Sequence, residues 1–247
     1  MMGSSEKGGR AKMNVLAICA HPDDAEIWAG GTLAKYAARG DKVTIAIATN
    51  GEVGSPTLPK EEIAEIRRLE AIAAANHIGA ELIWMGYPDE FLFDTEGTRL
   101  AFIEAMRYSG AEVVLTHWPD DLYNPDHTIT GRIANDVAIM TTVPNIVTAS
   151  PKLDKIPIVY FMDSVAGLGF QPEEYVDITE QFETKRKMLA EHVSQVGDWL
   201  QDQYGSNAME MIEITSRFRG IQSGVRYAEG FIRAKAYPRN ITGTLLP

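Results

Sequence analysis

The sequence has a single cysteine, Cys19, in 247 residues. No disulfide can form within the chain, which fits a reducing compartment, and a cytoplasmic location is expected. No apolar run approaches the ~20 residues of a membrane-spanning helix. Positive charge is scarce: 23 Lys and Arg stand against 34 Asp and Glu, a net charge of −11. Neither nucleic acid nor an anionic membrane surface is an expected partner of such a chain. The opening MMGSSEKGGRAK is polar and rich in Gly and Ser, with no apolar h-region. Residues 1–12 therefore read as a disordered leader or an expression remnant and not as a signal peptide. The turn after the first apolar run also lacks the G-x-G-x-x-G pattern that lets bare backbone meet a pyrophosphate. It holds His21-Pro22-Asp23-Asp24 instead. Proline removes a backbone donor and two carboxylates repel phosphate, so a dinucleotide site is excluded and a cation site is favoured.

What is present is enough apolar residue, 45%, for one well-buried core. Strand and helix patterns alternate regularly. Val15–Ala20, Lys42–Ala48, Glu81–Met85, Glu112–Thr116 and Ile156–Phe161 read as strands. Ala29–Arg39, Lys60–Asn76, Thr98–Ser109, Thr128–Met140 and Gln181–Trp199 read as helices, the last a long amphipathic one. The β-then-α order points to an α/β, Rossmann-like layered fold: a mostly parallel central sheet flanked by helices. No linker divides residues 13–247, so they are expected to form one domain, and Ile212–Gly230 fits no single element.

Two turns carry the chemistry. The first, His21-Pro22-Asp23-Asp24, follows the apolar run Val15–Ala20. The second, Thr116–His127 (THWPDDLYNPDH), follows Val113-Val114-Leu115 and holds His117, Asp120, Asp121, Asp126 and His127. Open α/β sheets bind ligands at the carboxyl ends of their strands. Two such turns can bring His21, Asp24 and a histidine of the second turn around one ion. Two imidazole nitrogens with one carboxylate oxygen suit zinc with an open position for water.

At this point the residues resemble a known family. Ala20-His21-Pro22-Asp23-Asp24 followed by Gly30-Gly31 is similar to the AHPDD…GG signature of the PIG-L/LmbE-like N-deacetylases. Thr49-Asn50-Gly51-Glu52-Val53-Gly54, Arg67-Arg68-Leu69-Glu70, Asn124-Pro125-Asp126-His127 and Arg226-Tyr227-Ala228-Glu229 resemble further motifs in the family's order. So does Lys187 with His192-Val193-Ser194-Gln195, which resembles its K…H-x-S-Q helix. The resemblance spans about residues 14 to 235.

The resemblance implies Zn²⁺ held by His21, Asp24 and His127, with Asp23 as general base. A metal-bound water would attack the N-acetyl or other N-acyl group of an amino sugar or its conjugate, and a protonated Asp23 would serve the leaving amine. A homo-oligomer is a further implication. One departure stands out: the family usually has histidine where this chain has Asn124. Asparagine donates a hydrogen bond but carries no proton at neutral pH. Asn124 is therefore expected to keep only an oxyanion role, with Asp126 as the paired acid beside it. His117, Asp120 and Asp121 are open candidates for any missing function.

Other residues keep two readings. On α-helical spacing Ile63, Ile66, Leu69 and Ala73 make one stripe, with Glu70 in it and Arg67 beside it. Arg67 is either half of a structural pair with Glu70 or a substrate clamp, and the family match favours the site. Glu52 is expected to order its glycine loop, and His77 to lie at a helix end on the surface. His192 is either a packed histidine or a residue of the active-site rim. Tyr123 either covers the substrate or is an ordinary loop aromatic. Two other function classes stand beside the deacetylase. One is a metal-dependent hydrolase or transferase of another bond or of a non-sugar amide, and the other a non-catalytic metal-stabilised module.

Overall fold

The computed structural model describes residues 12–197, 201, 205–236 and 247. The expected leader, apart from Lys12, and Trp199 at the end of the expected fifth helix lie outside them. Among the described residues the elements run β1 (Asn14–Cys19), α1 (Asp24–Ala38), β2 (Lys42–Thr49), α2 (Lys60–Asn76), β3 (Glu81–Tyr87), α3 (Glu96–Ser109) and β4 (Val113–Thr116). There follow α4 (Pro125–Val137), β5 (Ile158–Met162), β6 (Glu174–Asp177), α5 (Phe182–Ala190), α6 (Ala208–Ser223) and β7 (Ala228–Arg233). Seven strands form one sheet in the order β3-β2-β1-β4-β5-β7-β6. β1 to β5 pair in parallel, and β7 joins β5 and β6 antiparallel. The expected mostly parallel sheet is what the chain forms.

Alternation along β1 explains why both faces of the sheet are covered. Val15, Ala17 and Cys19 point into one core with α1, α2, Phe182 and Phe231. Leu16 and Ile18 point into the other with Phe102 and Met106 of α3 and Ile133 and Val137 of α4. A strand buried on both sides reads as a continuous apolar run, as β1 and β2 do. The Gly30-Gly31 pair lies in the middle of α1. A Cβ on Gly31 would come within 2.7 Å of the Ile178 side chain, so only glycine admits the chain after β6 here.

Three expectations need correction. Helix α2 buries Ile63, Arg67, Ala71, Ala74 and Ala75, whereas Leu69 is 53% exposed. The alanine face permits a closer approach than the Ile–Leu stripe would, and Arg67 finds partners beneath it. The expected helix Gln181–Trp199 stops at Ala190. Beyond it the chain turns, because His192 is buried and Ser194 is hydrogen-bonded to Glu70 of α2. Ile212–Gly230 divides between α6 and β7, the antiparallel strand that extends the sheet.

Candidate metal centre and active site

The strand order reverses between β1 and β4: β2 and β3 lie to one side and β5 to the other. Such a switch point opens a crevice at the strands' carboxyl ends. His21 enters it from β1 and His117 from β4, and His127 reaches it from the first turn of α4. A nitrogen of His21, a nitrogen of His127 and an oxygen of Asp24 lie within 4.8 Å of one another. His21 Nδ1 is 3.2 Å from His127 Nε2 and 3.5 Å from Asp24 Oδ2, and His127 Nε2 is 3.4 Å from Asp24 Oδ1. A tetrahedral zinc with ligand bonds of about 2.0–2.1 Å holds its donors about 3.3 Å apart. The three side chains fit that ion in both spacing and donor type.

Further side chains back these three candidate ligands. The far nitrogen of His21, Nε2, lies 3.2 Å from Asp89 Oδ1 and 3.7 Å from Asp126 Oδ2. The far nitrogen of His127, Nδ1, lies 3.6 Å from Asp121 Oδ2. Each imidazole thus has a carboxylate on the side away from the cluster, the placement from which such a group would orient a metal-binding histidine. His117 is buried, stacks on the His127 ring at 4.0 Å and sets Nε2 3.0 Å from Asp24 Oδ2 and 3.1 Å from the Ala20 amide. It orients the Asp24 carboxylate.

Charge follows this geometry. Burial would raise Asp24, but His127 and His117 outweigh it and hold the carboxyl well below its ordinary range. Burial would lower His21, but the carboxylates of Asp126, Asp24 and Asp89 raise it well above its ordinary value. His127 is raised against burial by Asp24 and Asp121. Burial and the neighbouring His127 push His117 down to about 4, so it is neutral. The carboxylates that favour protons on His21 and His127 would equally favour a dication in their place.

Asp23 stands apart from this set. It precedes α1 with φ at 119°, a left-handed conformation that is uncommon outside glycine. Such strain persists where surrounding contacts enforce it. Burial pushes its carboxyl up to about 6 against the pull of the Arg67 guanidinium. Arg67 is 4% exposed and donates to Pro22 O at 2.7 Å, Gly51 O at 3.2 Å and Asp23 Oδ2 at 3.4 Å. It ties the His-Pro-Asp-Asp turn to the glycine loop beneath the site. A Cβ on Gly54 would fall 2.4 Å from Arg67 Nη1, so the loop lies flat on the guanidinium. Glu70 is not its partner, since Glu70 accepts from Ser194 N at 2.8 Å and Ser194 Oγ at 2.6 Å.

The remaining candidates are distributed as follows. Asn124 caps α4, its Oδ1 accepting from Asp126 N at 2.7 Å, and its Nδ2 donates to Glu90 Oε1 at 2.8 Å. Asp126 accepts from Glu90 N and Leu92 N, pinning the loop after β3 against the site. Tyr123 is exposed with its ring 5.9 Å from that of His127, at the mouth. His192 is wholly buried, with Nε2 3.3 Å from Glu26 Oε2. Burial lowers it, but Glu26 and then Asp23 outweigh that and raise it. Gln195 donates to Gly54 O at 2.9 Å, joining this segment to the glycine loop. Glu52 bonds Asn50 and Lys60 within its own loop, and His77 meets Glu191 on the surface, as expected of both.

Two residues escaped the sequence reading. Asp89 backs His21 and accepts from Val53 N at 3.2 Å. It belongs to a Pro-Asp pair after a strand, as do Asp23 and Asp120, and that repetition was the available signal. Lys185, not Lys187, is the buried lysine of α5; Lys187 is exposed. Lys185 Nζ meets Glu229 Oε1 at 2.6 Å, and Glu229 also accepts from the amides of Gly31 and Thr32. A groove of about 1170 Å³ along Met13, Glu112, Ile158 and Arg233 lies at the other end of the sheet and holds none of these residues.

Comparison with known proteins finds relatives of this chain. The family model described as PIG-L, GlcNAc-PI de-N-acetylase, matches residues 16–138. Diacetylchitobiose deacetylase of Thermococcus kodakarensis is 27% identical over 231 residues, covering 87% of this chain and 81% of its own. A 4-oxalmesaconate hydratase of Pseudomonas putida is 25% identical over 237 residues, covering 92% of this chain and 90% of its own. The structure of N,N'-diacetylchitobiose deacetylase from Pyrococcus horikoshii matches with a TM-score of 0.79 at 28% identity, covering 89% of this chain and 83% of that one. With its signature turn, its fold and its relatives in agreement, this chain belongs to the PIG-L/LmbE-like deacetylase family.

Proposed function

We propose that the chain is a zinc-dependent N-deacetylase acting on a small N-acylated amino sugar or its conjugate. The observation that carries this reading is the meeting of His21, Asp24 and His127 with Asp23 beside them and outside the ligand set. A structural ion would need no such spare carboxylate. Zinc held by the three residues would acidify water and polarise an acyl carbonyl. Asp23 takes the proton of the attacking water and returns it to the leaving amine, a task suited to a carboxyl raised to about 6. Arg67 fixes the direction of that carboxylate from below. Asp89 and Asp121 hold the imidazoles, and His117 holds Asp24. Asn124 offers Nδ2 as a donor at the rim once it leaves Glu90, while Tyr123 closes over the substrate.

Acetate release from a panel of N-acetyl amino sugars and their conjugates, with zinc content measured alongside, tests the reading. About one zinc per chain is expected, and His21→Ala should lose both metal and activity. A purified chain that binds no zinc, or a zinc-loaded chain that releases no acetate from the panel, would sink it. The near full-length likeness to the hydratase supports a second reading, in which the same water and base add across a carbon–carbon double bond. Loss of a conjugated substrate's absorbance without acetate release would favour that one.

A further inference from the structure

The loops at the carboxyl ends of β1 to β5, and the segment after α5, form the mouth of the crevice. Their sequences are residues 20–23, 50–59, 88–95, 117–124, 163–173 and 191–197, and none contains lysine or arginine. Among the described residues, four of the cations that border them are held in contacts, while the exposed Arg132 acts on Asp94 only through space. Arg67 serves Asp23 and two carbonyls, Lys60 lies 3.2 Å from Glu52, Arg99 2.6 Å from Asp94, and Arg219 2.6 Å from Asp163. Acids are present instead. Glu90 and Asp120 are exposed, and an oxygen of Glu90 lies within 4.8 Å of His21 and Asp89.

Between the acids stand large apolar side chains. Phe91 is 58% exposed, Leu122 71% and Leu168 55%. Each is placed by a neighbour that belongs to the site. The amides on either side of Phe91 bind Asp126, Leu122 follows the Asp121 behind His127, and Leu168 precedes Gly169, which rests on Trp118 and Leu122.

We infer that this mouth selects an uncharged N-acyl amino sugar bearing an apolar aglycone and rejects conjugates that carry a carboxylate or phosphate. The inference rests on the deacetylase reading and narrows its substrate. An anionic aglycone would leave water for loops that carry no lysine or arginine of their own and that set the carboxylates of Glu90 and Asp120 within reach. An apolar aglycone would cover Phe91, Leu122 and Leu168.

The test compares kcat/KM for acetate release by the zinc-loaded protein from the phenyl and the 4-carboxyphenyl glycosides of N-acetylglucosamine. The phenyl glycoside should lead by about tenfold. Raising salt from roughly 0.02 to 0.5 M should narrow that gap to a few-fold by screening. Asp120→Lys should shift the carboxyphenyl-to-phenyl ratio upward by about fivefold. Equal rates, a carboxyphenyl preference, or a gap indifferent to both salt and Asp120→Lys would overturn the charge selection and leave the deacetylase standing. Acetate from neither glycoside would overturn the deacetylase reading and this inference with it.

Discussion

Replacing Asp23 with Asn should stabilise the metal-free protein at neutral pH while removing most of its activity. Burial raises the Asp23 carboxyl from 3.8 to about 6. The folded chain therefore keeps a proton that the unfolded chain releases. That contribution to stability is complete below about pH 3.8 and is lost as pH rises through about 6. At pH 7.5 the ionised carboxylate burdens the fold by about 3 kcal/mol, and Asn removes the charge while keeping the shape. Asn accepts a positive φ about as readily as Asp, so the 119° backbone adds no new strain. Arg67 retains Pro22 O and Gly51 O as acceptors. For 247 residues the gain corresponds to about 6 °C in Tm, shrinking as pH falls towards 4. Thermal unfolding in chelator at about pH 4.5 and 7.5 measures it. The zinc-loaded variant should deacetylate about 10²–10⁴-fold more slowly. A Tm that falls at pH 7.5, or rises equally at both pH values, would refute the burial argument; parental activity would refute the role of base.

Further outcomes follow from the contacts around the ligands and the cores. Asp89→Asn should weaken zinc binding about 10–100-fold in competition with a chromophoric chelator, because His21 loses the carboxylate behind it; unchanged affinity would mean Asp89 does not orient His21. Lys185→Met leaves Glu229 buried with only two amides, so about 3–5 kcal/mol of stability, or 6–10 °C in Tm, should go. A Tm within 2 °C or so of the parent would show that the pair is neutral. Asn124→Ala removes the cap of α4 and should cost about 1 kcal/mol in denaturant unfolding, most of which Asn124→Ser should restore.

The parts of the fold legible in the sequence were those with a local physical cause. β1 and β2 are runs of apolar and β-branched residues because helices cover both faces of the sheet, and α3 ends where Gly110 takes a left-handed φ of 63°. The failures had non-local causes. Nothing in the periodicity of Gln181–Trp199 reveals that Ser194 must meet Glu70, 124 residues earlier, so the pattern runs on through a turn. The stripe on α2 misplaced Leu69 because a hydrophobic pattern ranks an arginine as surface, whereas Arg67 is buried by two carbonyls and a carboxylate.

The same distinction divides the site. His21, Asp23 and Asp24 sit in one tight turn after a strand, so their types and spacing expose them. Asp89 was harder, because its role exists only once β3 is placed two strands from β1 and its loop folds back over the switch point. Asn124 is harder still. As a sequence difference it looks like a lost proton carrier, yet in the fold it is a helix cap whose amide also holds Glu90. That contact places an exposed carboxylate near the ligands, on a backbone with φ of 66° that glycine would adopt more easily. Asn124 thus fixes where that carboxylate stands beside the proposed metal ligands, a role set by the fold and not visible in the residue difference alone.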